Sequence, residues 1–433
     1  MTVEALEMSI NLVWVMLGAI LVFFMHAGFA MVEAGFTRSK NAVNILMKNI
    51  LTISISGIVF YIVGYAIMFG DTAGGFIGTS GFVLNGVDDI AFFVFQAMFV
   101  ATSATIISGA VAERTNIVAY LILVVVMTSF IYPVIGHWIW QGDGWLTALG
   151  FVDFAGSTVV HLTGAVGALV AAAMIGPRIG KYAGKQVNVI PGHSIPLGAL
   201  GVFILWLGWF GFNGASTLTA DPSLVPGVIA NTFLAASAGV IATAFYTRFR
   251  YGHIDGSLTL NGALAGLVSI TAGAANLSIV GAIVAGLVSG VILVEGVRFI
   301  EWVLKVDDPV GAVAVHGLCG IWGTLAVGLL DITGGGLLYG GGATLLGVQA
   351  IGVLAIIAWT SVTVAGSLVV IKLFVPLRVS REEEIQGLDI TEHGSYAYEY
   401  SQDVFKGLSK SNDTFAQRLT TYGAKPNTKV AHK

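Results

Sequence analysis

Two stretches decide the fold: DFAGSTVVHLTGAVGAL at residues 153–169 and DPVGAVAVHGLCGIWGTL at residues 308–325. Both spell D-x-x-G-x4-H, and both run on into G-x-x-G-x-L. Eight residues of α-helix advance about 12 Å. His161 and His316 therefore fall near the middle of a hydrocarbon core about 30 Å thick, if these runs are membrane helices. An ionisable side chain at that depth is costly and marks a pathway or a helix contact. Recurrence at the same slot of a repeated motif favours the pathway over two unrelated core histidines.

The rest of the chain supports the membrane reading. Of 433 residues, 56% are hydrophobic and 10% charged, against about 25% charged in a soluble protein, which excludes an ordinary soluble enzyme. The 57 glycines suit helices packed backbone against backbone in a bilayer. A net charge of −4 without a basic stripe speaks against nucleic acid. The lone Cys319 excludes a disulfide framework or a cysteine zinc cluster and reads as a small buried apolar residue. The N-terminus, MTVEALEMSINLVW, has no Lys or Arg before Arg38, unlike a secretory signal, so the first apolar run is expected to be retained.

With about 20 apolar residues per span, the sequence predicts eleven transmembrane helices: 9–34, 43–69, 90–111, 117–140, 155–176, 195–218, 225–247, 257–274, 278–302, 310–330 and 343–375. The eighth is the shortest and is rich in Gly and Ala. The gaps 70–89, 141–154, 219–224, 275–277 and 331–342 contain no Lys or Arg. All 20 basic residues, from Arg38 and Lys40 through Arg114, Arg178, Lys181, Lys185, Arg248 and Arg250 to the C-terminal tail, lie on the other side or near helix ends facing it. The positive-inside rule makes that side cytoplasmic, with the N-terminus out and the C-terminus in, as an odd number of spans requires. Glu4, Glu7, Asp71, Asp88, Asp89, Asp143, Asp221 and Asp331 fall on the outer face, a mild attraction for cations.

On this topology the fifth helix runs inward and the tenth outward, so the repeated motif sits in elements of opposite orientation. The fold class expected is an all-α polytopic membrane protein with an inverted 5+5 repeat plus one helix.

Five motifs then carry a resemblance: AGFAMVEAGFTRSKNAVNILMKN (27–49), DFAGSTVVH (153–161), WFGFNGAS (209–216), DDPVGAVAVHGLCGIWG (307–323) and GLDITEHG (387–394). In these, and in their order, the chain resembles the ammonium transporter family (Amt/Mep/Rh) up to about residue 400. The resemblance implies a homotrimer in the cell membrane with one pore per subunit, carrying ammonium or ammonia without a cofactor. It implies that His161 and His316 are twin pore histidines and that Trp209 lines the pore. Phe99, in FQAMF, and Phe212 would form a stacked gate. Trp140, Ser216 and Phe99 would recruit ammonium on the outside, supported by buried Asp153. The segment between Trp140 and Asp153 is about one residue longer than in some bacterial relatives. A PII-type signalling protein docking on the cytoplasmic face is a further implied partner.

The chemistry of these residue types fits. An aromatic face attracts a small cation by about 0.5–2 kcal/mol, and a serine hydroxyl accepts an ammonium N–H. Neutral imidazoles offer too few acceptors to replace the hydration of potassium, whereas ammonium can shed a proton and cross as ammonia. An ammonium sensor using the same pocket is the alternative, favoured by a fused output domain. A membrane enzyme would need a nucleophile or metal ligands beside the histidines, and neither HExxH nor GxSxG occurs.

Other groups carry weaker expectations. His26 and Glu33, seven apart on one helix face, read as helix-contact polar groups at the subunit interface. Glu301, Asp307 and Asp308 read as a capped, solvated loop with Lys305 nearby. His137, His193, His253 and His432 follow no pattern. Composition changes at Pro376, dividing the chain into a transmembrane domain, 1–375, and a cytoplasmic regulatory tail, 376–433. The tail motif is implied by the resemblance to pack beneath the pore and couple subunits, and 403–433 is expected to be mobile and solvated.

The charge distribution generates a direct test. Cysteines introduced at 70–89 are expected to react with an impermeant thiol reagent only from outside, and those at 177–194 only from inside. Labelling of Asp88→Cys from the cytoplasm would reverse the orientation.

Overall fold

The computed structural model describes residues 2–398, so the expectation for 403–433 lies outside the described residues. Ten described helices are long and apolar enough to cross a membrane: α1 Val3–Phe36, α2 Ser39–Phe69, α3 Ile90–Ala110, α4 Ile117–Ala148, α5 Ser157–Ile175, α6 Ile195–Thr217, α7 Val225–Tyr251, α9 Ile279–Val303, α10 Val313–Leu330 and α11 Thr344–Lys372. The expected eighth span is the shorter apolar helix α8, Gly256–Thr271. Its 16 residues extend about 24 Å. Residues 261–271 are all buried, with α6, α7, α9 and α10 packed around the helix. Two antiparallel ribbons of two residues per strand, Thr72–Ala73 with Ile77–Gly78 and Tyr182–Ala183 with Gln186–Val187, tie down the loops after α2 and α5. Two short helices follow α11: α12 Arg381–Gln386 and α13 Leu388–His393.

Burial is arranged for lipid rather than for water. On α1, Val13, Leu17, Ile20, Phe23 and Phe24 are exposed, while Thr52, Ser103, Thr105, Asn213 and Thr232 of neighbouring helices are buried. With no hydrophobic drive between helices in lipid, close van der Waals approach does the work, and small residues permit it. The α1–α6 seam shows this: a Cβ added to Gly35 would lie 2.5 Å from the backbone nitrogen of Gly198. Any side chain there would force the helices apart.

The D-x-x-G spacing has a structural cause at both positions. The Asp153 carboxylate accepts hydrogen bonds from the backbone N–H groups of Gly156, Thr158 and Val159 at 2.8–3.0 Å. Asp308 accepts from Gly311 and Val313 at 3.1 and 2.7 Å. Each satisfies the orphan donors of a helix start. The glycines, with φ of 112° and 76°, supply the left-handed turn that lets the chain enter the helix. Both helices open with a widened π turn, Ser157–Leu162 and Val313–Leu318, and each contains its histidine.

The loops that carry the basic residues are fastened to one another, which corrects the solvated-loop expectation for Asp307 and Asp308. They are only 1% and 6% exposed. Arg178 grips Asp307 through two hydrogen bonds, Nε to Oδ2 at 2.8 Å and Nη2 to Oδ1 at 2.9 Å. Arg114 donates to the Asp307 carbonyl at 2.7 Å. Burial by itself would raise the Asp307 carboxyl, but hydrogen bonding and charge from Arg178 overcome it and hold the group well below the usual carboxylate range. Buried Glu113, at φ 72°, bridges Arg38 and Arg178. Glu301 pairs with Lys181 at 2.5 Å, while the Lys305 ammonium lies over Tyr182 and Trp302. The segment after α11 closes the same face: Glu384 pairs with Arg378 at 2.7 Å and accepts from the Ile179 N–H. Asp389 accepts from the Asn44 N–H, and Glu392 from the Ile117 N–H.

Removing one partner of a buried pair strands the other charge and costs about 3–5 kcal/mol. Arg178→Gln is therefore expected to lower the thermal unfolding temperature in detergent strongly. Arg298→Gln, whose pairing with Glu295 is exposed, should cost under about 1 kcal/mol. Equal effects of the two would overturn this reading of the loop network.

Candidate functional site

α5 and α10 bring His161 and His316 into contact, with Nδ1 to Nδ1 at 3.2 Å and rings stacked at 5.1 Å and 21°. Two Nδ1 atoms at that distance share one proton, so with both rings neutral one is the Nδ1–H tautomer and the other the Nε2–H tautomer. His161 Nε2 is buried and has no hydrogen-bond partner among the described residues.

The other ring side chains extend this pair into a column. Phe212, on α6, stacks on His161 at 5.5 Å, and Trp209 stacks on the same ring at 5.1 Å. The Trp209 indole N–H donates to Thr271 Oγ1 at 2.9 Å, which fixes the ring. Phe99, on α3, lies 4.2 Å from Phe212, and Trp140 meets Phe99 edge-on at 6.0 Å. Phe99, Phe212, Trp209 and His161 are buried, whereas Trp140 and Ser216 are partly exposed above them. The column therefore runs from a wetter end at Trp140 to a dry middle.

The polar groups at the wetter end are held by backbone. Trp140 Nε1 donates to the Asp153 carbonyl at 2.8 Å, which fixes the indole ring. Ser216 Oγ donates to the Phe212 carbonyl at 2.7 Å, leaving its lone pairs as acceptors. Asp153 itself is turned into the start of α5. Burial raises its carboxyl to about 6, opposed by the N–H groups of Val159, Thr158 and Gly156. It bears on the site through its carbonyl and the cap it makes, not through a free carboxylate.

Several residues at the site went unnoticed in the sequence. Phe29 packs on His316 at 6.0 Å. A cavity with about 20 Å³ for water centres lies beside it, bounded by His316, Phe29, Val310, Asn261 and Glu33. The i, i+3, i+7 spacing of His26, Phe29 and Glu33 was the available signal. His26 and Glu33, 6% and 3% exposed, are enclosed within this chain, as helix-contact groups would be. Glu33 accepts from Ser108 Oγ at 2.7 Å. Cys319 is fully buried. His137 bridges Thr72 and the Met68 carbonyl, and His193 bridges the Thr37 carbonyl and Tyr398; both hold loops.

The sequence profile described as the Ammonium Transporter Family matches residues 13–398. The chain is 41% identical to the ammonium transporter Amt2 of Archaeoglobus fulgidus over 418 residues, covering 90% of this chain and 89% of that protein. It is 37% identical to ammonium transporter 1 member 3 of Solanum lycopersicum, covering 91% and 94%. Among solved structures, one titled "Sensor Amt Protein" superposes with a TM-score of 0.87 at 39% identity, covering 90% of this chain and all of that one. Mep2 of Saccharomyces cerevisiae superposes with a TM-score of 0.81 at 28% identity, covering 90% and 91%. This chain belongs to the ammonium transporter family.

Proposed function

We propose that the protein carries ammonium across the cytoplasmic membrane through the column of rings. The observation that carries this reading is the unbroken order Trp140, Phe99, Phe212, His161, His316, with neighbouring ring centroids 4.2–6.0 Å apart. In this reading ammonium is recruited against Trp140, Phe99 and the Ser216 hydroxyl, with Asp153 supporting the indole. Phe99 and Phe212 part to admit it. The cation cannot go further intact, because the lumen beyond offers few acceptors and a bare charge at that depth costs several kcal/mol. It gives a proton to the unpartnered Nε2 of His161, and ammonia passes Trp209 and the histidine pair.

Eleven spans, an outside N-terminus and an inverted 5+5 repeat belong to the same proposal. They rest on the confinement of basic residues to one face and on the like construction of the two D-x-x-G-x4-H helix starts. Assembly as a homotrimer, residues 376–433 as a regulatory tail and docking of a PII-type protein are carried by the family resemblance. A sensor reading stays open beside transport, because the chain covers the whole of a structure titled as a sensor. Ammonium pulses on proteoliposomes separate the two: a transporter fills the lumen with turnover, and a sensor binds without filling it.

Two variant sets test the site. Trp140→Leu and Ser216→Ala each remove a cation contact worth at most about 2 kcal/mol. Each should raise the half-saturating ammonium concentration, by up to about 30-fold, while leaving transport at saturation. Unchanged concentration dependence in both would place recruitment elsewhere. At the histidines, a carboxylate adds two oxygens and a negative charge, lowering the cost of a desolvated cation. His161→Glu is expected to pass potassium as well as ammonium, and His161→Ala to lose transport. A folded, ammonium-conducting His161→Glu that still excludes potassium would put selectivity at Phe99 and Phe212.

A further inference from the structure

We infer that Glu33, held by Ser108 and Lys48, is the inner proton acceptor of the pore, taking up the proton that His316 releases across one water; this rests on the transport reading above. The cavity beside His316 places the two groups on its walls, together with Phe29, Val310 and Asn261. Its volume, about 20 Å³ for water centres, is enough for one water. Asn261 is already engaged, donating to the Val310 carbonyl at 3.1 Å. His316 uses Nδ1 on His161, and its Nε2 makes no hydrogen bond among the described residues. A water in that cavity is bounded by both the His316 and the Glu33 side chains.

Glu33 is built to hold and release charge rather than to pack. It lies one turn from the end of α1, between the histidine pair and the face that carries the basic loops. Ser108 Oγ donates to its Oε2 at 2.7 Å, while fully buried Lys48 donates from Nζ to the Ser108 carbonyl at 2.9 Å. The ammonium also lies 5.5 Å from the Tyr120 ring centroid. Lys48 from α2 and Tyr120 from α4 are the titratable groups that act on the carboxylate, and His316 from α10 is the other titratable residue lining the cavity among the described residues. A buried acid–base pair costs several kcal/mol in desolvation, and an apolar contact would pack α1 on α3 as well. A pathway role accounts for its retention at this depth.

The steps balance with protons alone. Ammonium gives its proton to His161 Nε2 and becomes ammonia. The Nδ1 proton of His161 passes to His316 Nδ1, and the Nε2 proton of His316 passes through the cavity water to Glu33. Glu33 then releases it to water on the basic face, where ammonia takes up a proton again. One positive charge crosses per ammonia, and the two imidazoles regain their starting tautomers by proton exchange before the next ammonium arrives.

The test uses the full-length protein in proteoliposomes, reading the current evoked by an ammonium pulse and, separately, filling of the lumen with ammonia and ammonium together. Wild type is expected to show both. Glu33→Gln should cut the current at least about tenfold, as for loss of a positioned base, while filling stays within about twofold and now alkalinises the lumen. Glu33→Asp should retain current with a shifted pH profile. Current within about twofold of wild type in folded Glu33→Gln would overturn the proposal. So would joint loss of current and filling in that variant, which marks a packing lesion. If Glu33→Gln does not fold, an unaltered current–pH profile in Glu33→Asp overturns it. Wild-type filling without current removes the acceptor and leaves transport standing; no filling at all removes the transport reading itself.

Discussion

The 3.2 Å contact between His161 and His316 joins residues 155 positions apart in the chain, and it constrains most of what surrounds it. Two imidazoles meet in the dry middle of the molecule only if two helix starts arrive from different loops at matching depth. Asp153 and Asp308 set those starts by capping them, and Gly156 and Gly311 supply the left-handed turns that the caps require. The widened first turns then swing the histidines toward each other. Side-chain hydrogen bonds behind the pair are equally specific: Thr158 meets Thr324 at 2.5 Å, and Ser157 joins the Val268 carbonyl to the Ala272 N–H. α8, buried among α6, α7, α9 and α10, forms a wall behind this contact.

On the basic face a second constraint operates. Asp307 lies next to the capping Asp308, so the arginines that bury Asp307 also anchor the loop from which His316 is launched. Arg114 and Arg178 reach it from two other loops, and the segment 376–398 reaches the same loops through Glu384, Asp389 and Glu392. A chain of direct hydrogen bonds thus runs from the tail to the start of α10. Long apolar helices packed through glycines give this molecule its walls, but polar contacts fix their ends.

Helix positions and the choice of basic face were legible because hydropathy and the distribution of Lys and Arg are local properties of the chain. His161 and His316 were legible because a motif repeats around them. Phe99, Phe212 and Trp140 stood out among 25 phenylalanines and nine tryptophans only through the family motifs; nothing in their spacing says that their rings meet. The failures have a common origin. Asp307 read as solvated because its partner, Arg178, is 129 residues away. Glu33 read as a helix-contact group without a named partner because helical spacing gives a face but not the neighbour that covers it. Phe29 was passed over for the same reason. Long-range pairing is invisible to a reading that follows the chain.

Glu113 gives the molecule an order of assembly. Its left-handed backbone costs on the order of 1–3 kcal/mol for a residue with a side chain, and its buried carboxylate is satisfied by Arg38, 75 residues before it, and Arg178, 65 residues after it. During synthesis the loop after α3 is made when only the first arginine exists. It cannot settle until α5 has been inserted and Arg178 arrives, and Arg178 is not itself neutralised by Asp307 until α9 is complete. The loops at Arg38, Glu113 and Arg178 stay incompletely paired until Asp307 is made. The contact between the two histidines and the pairing of the loops are thereby completed by the same stretch of chain, 307–316.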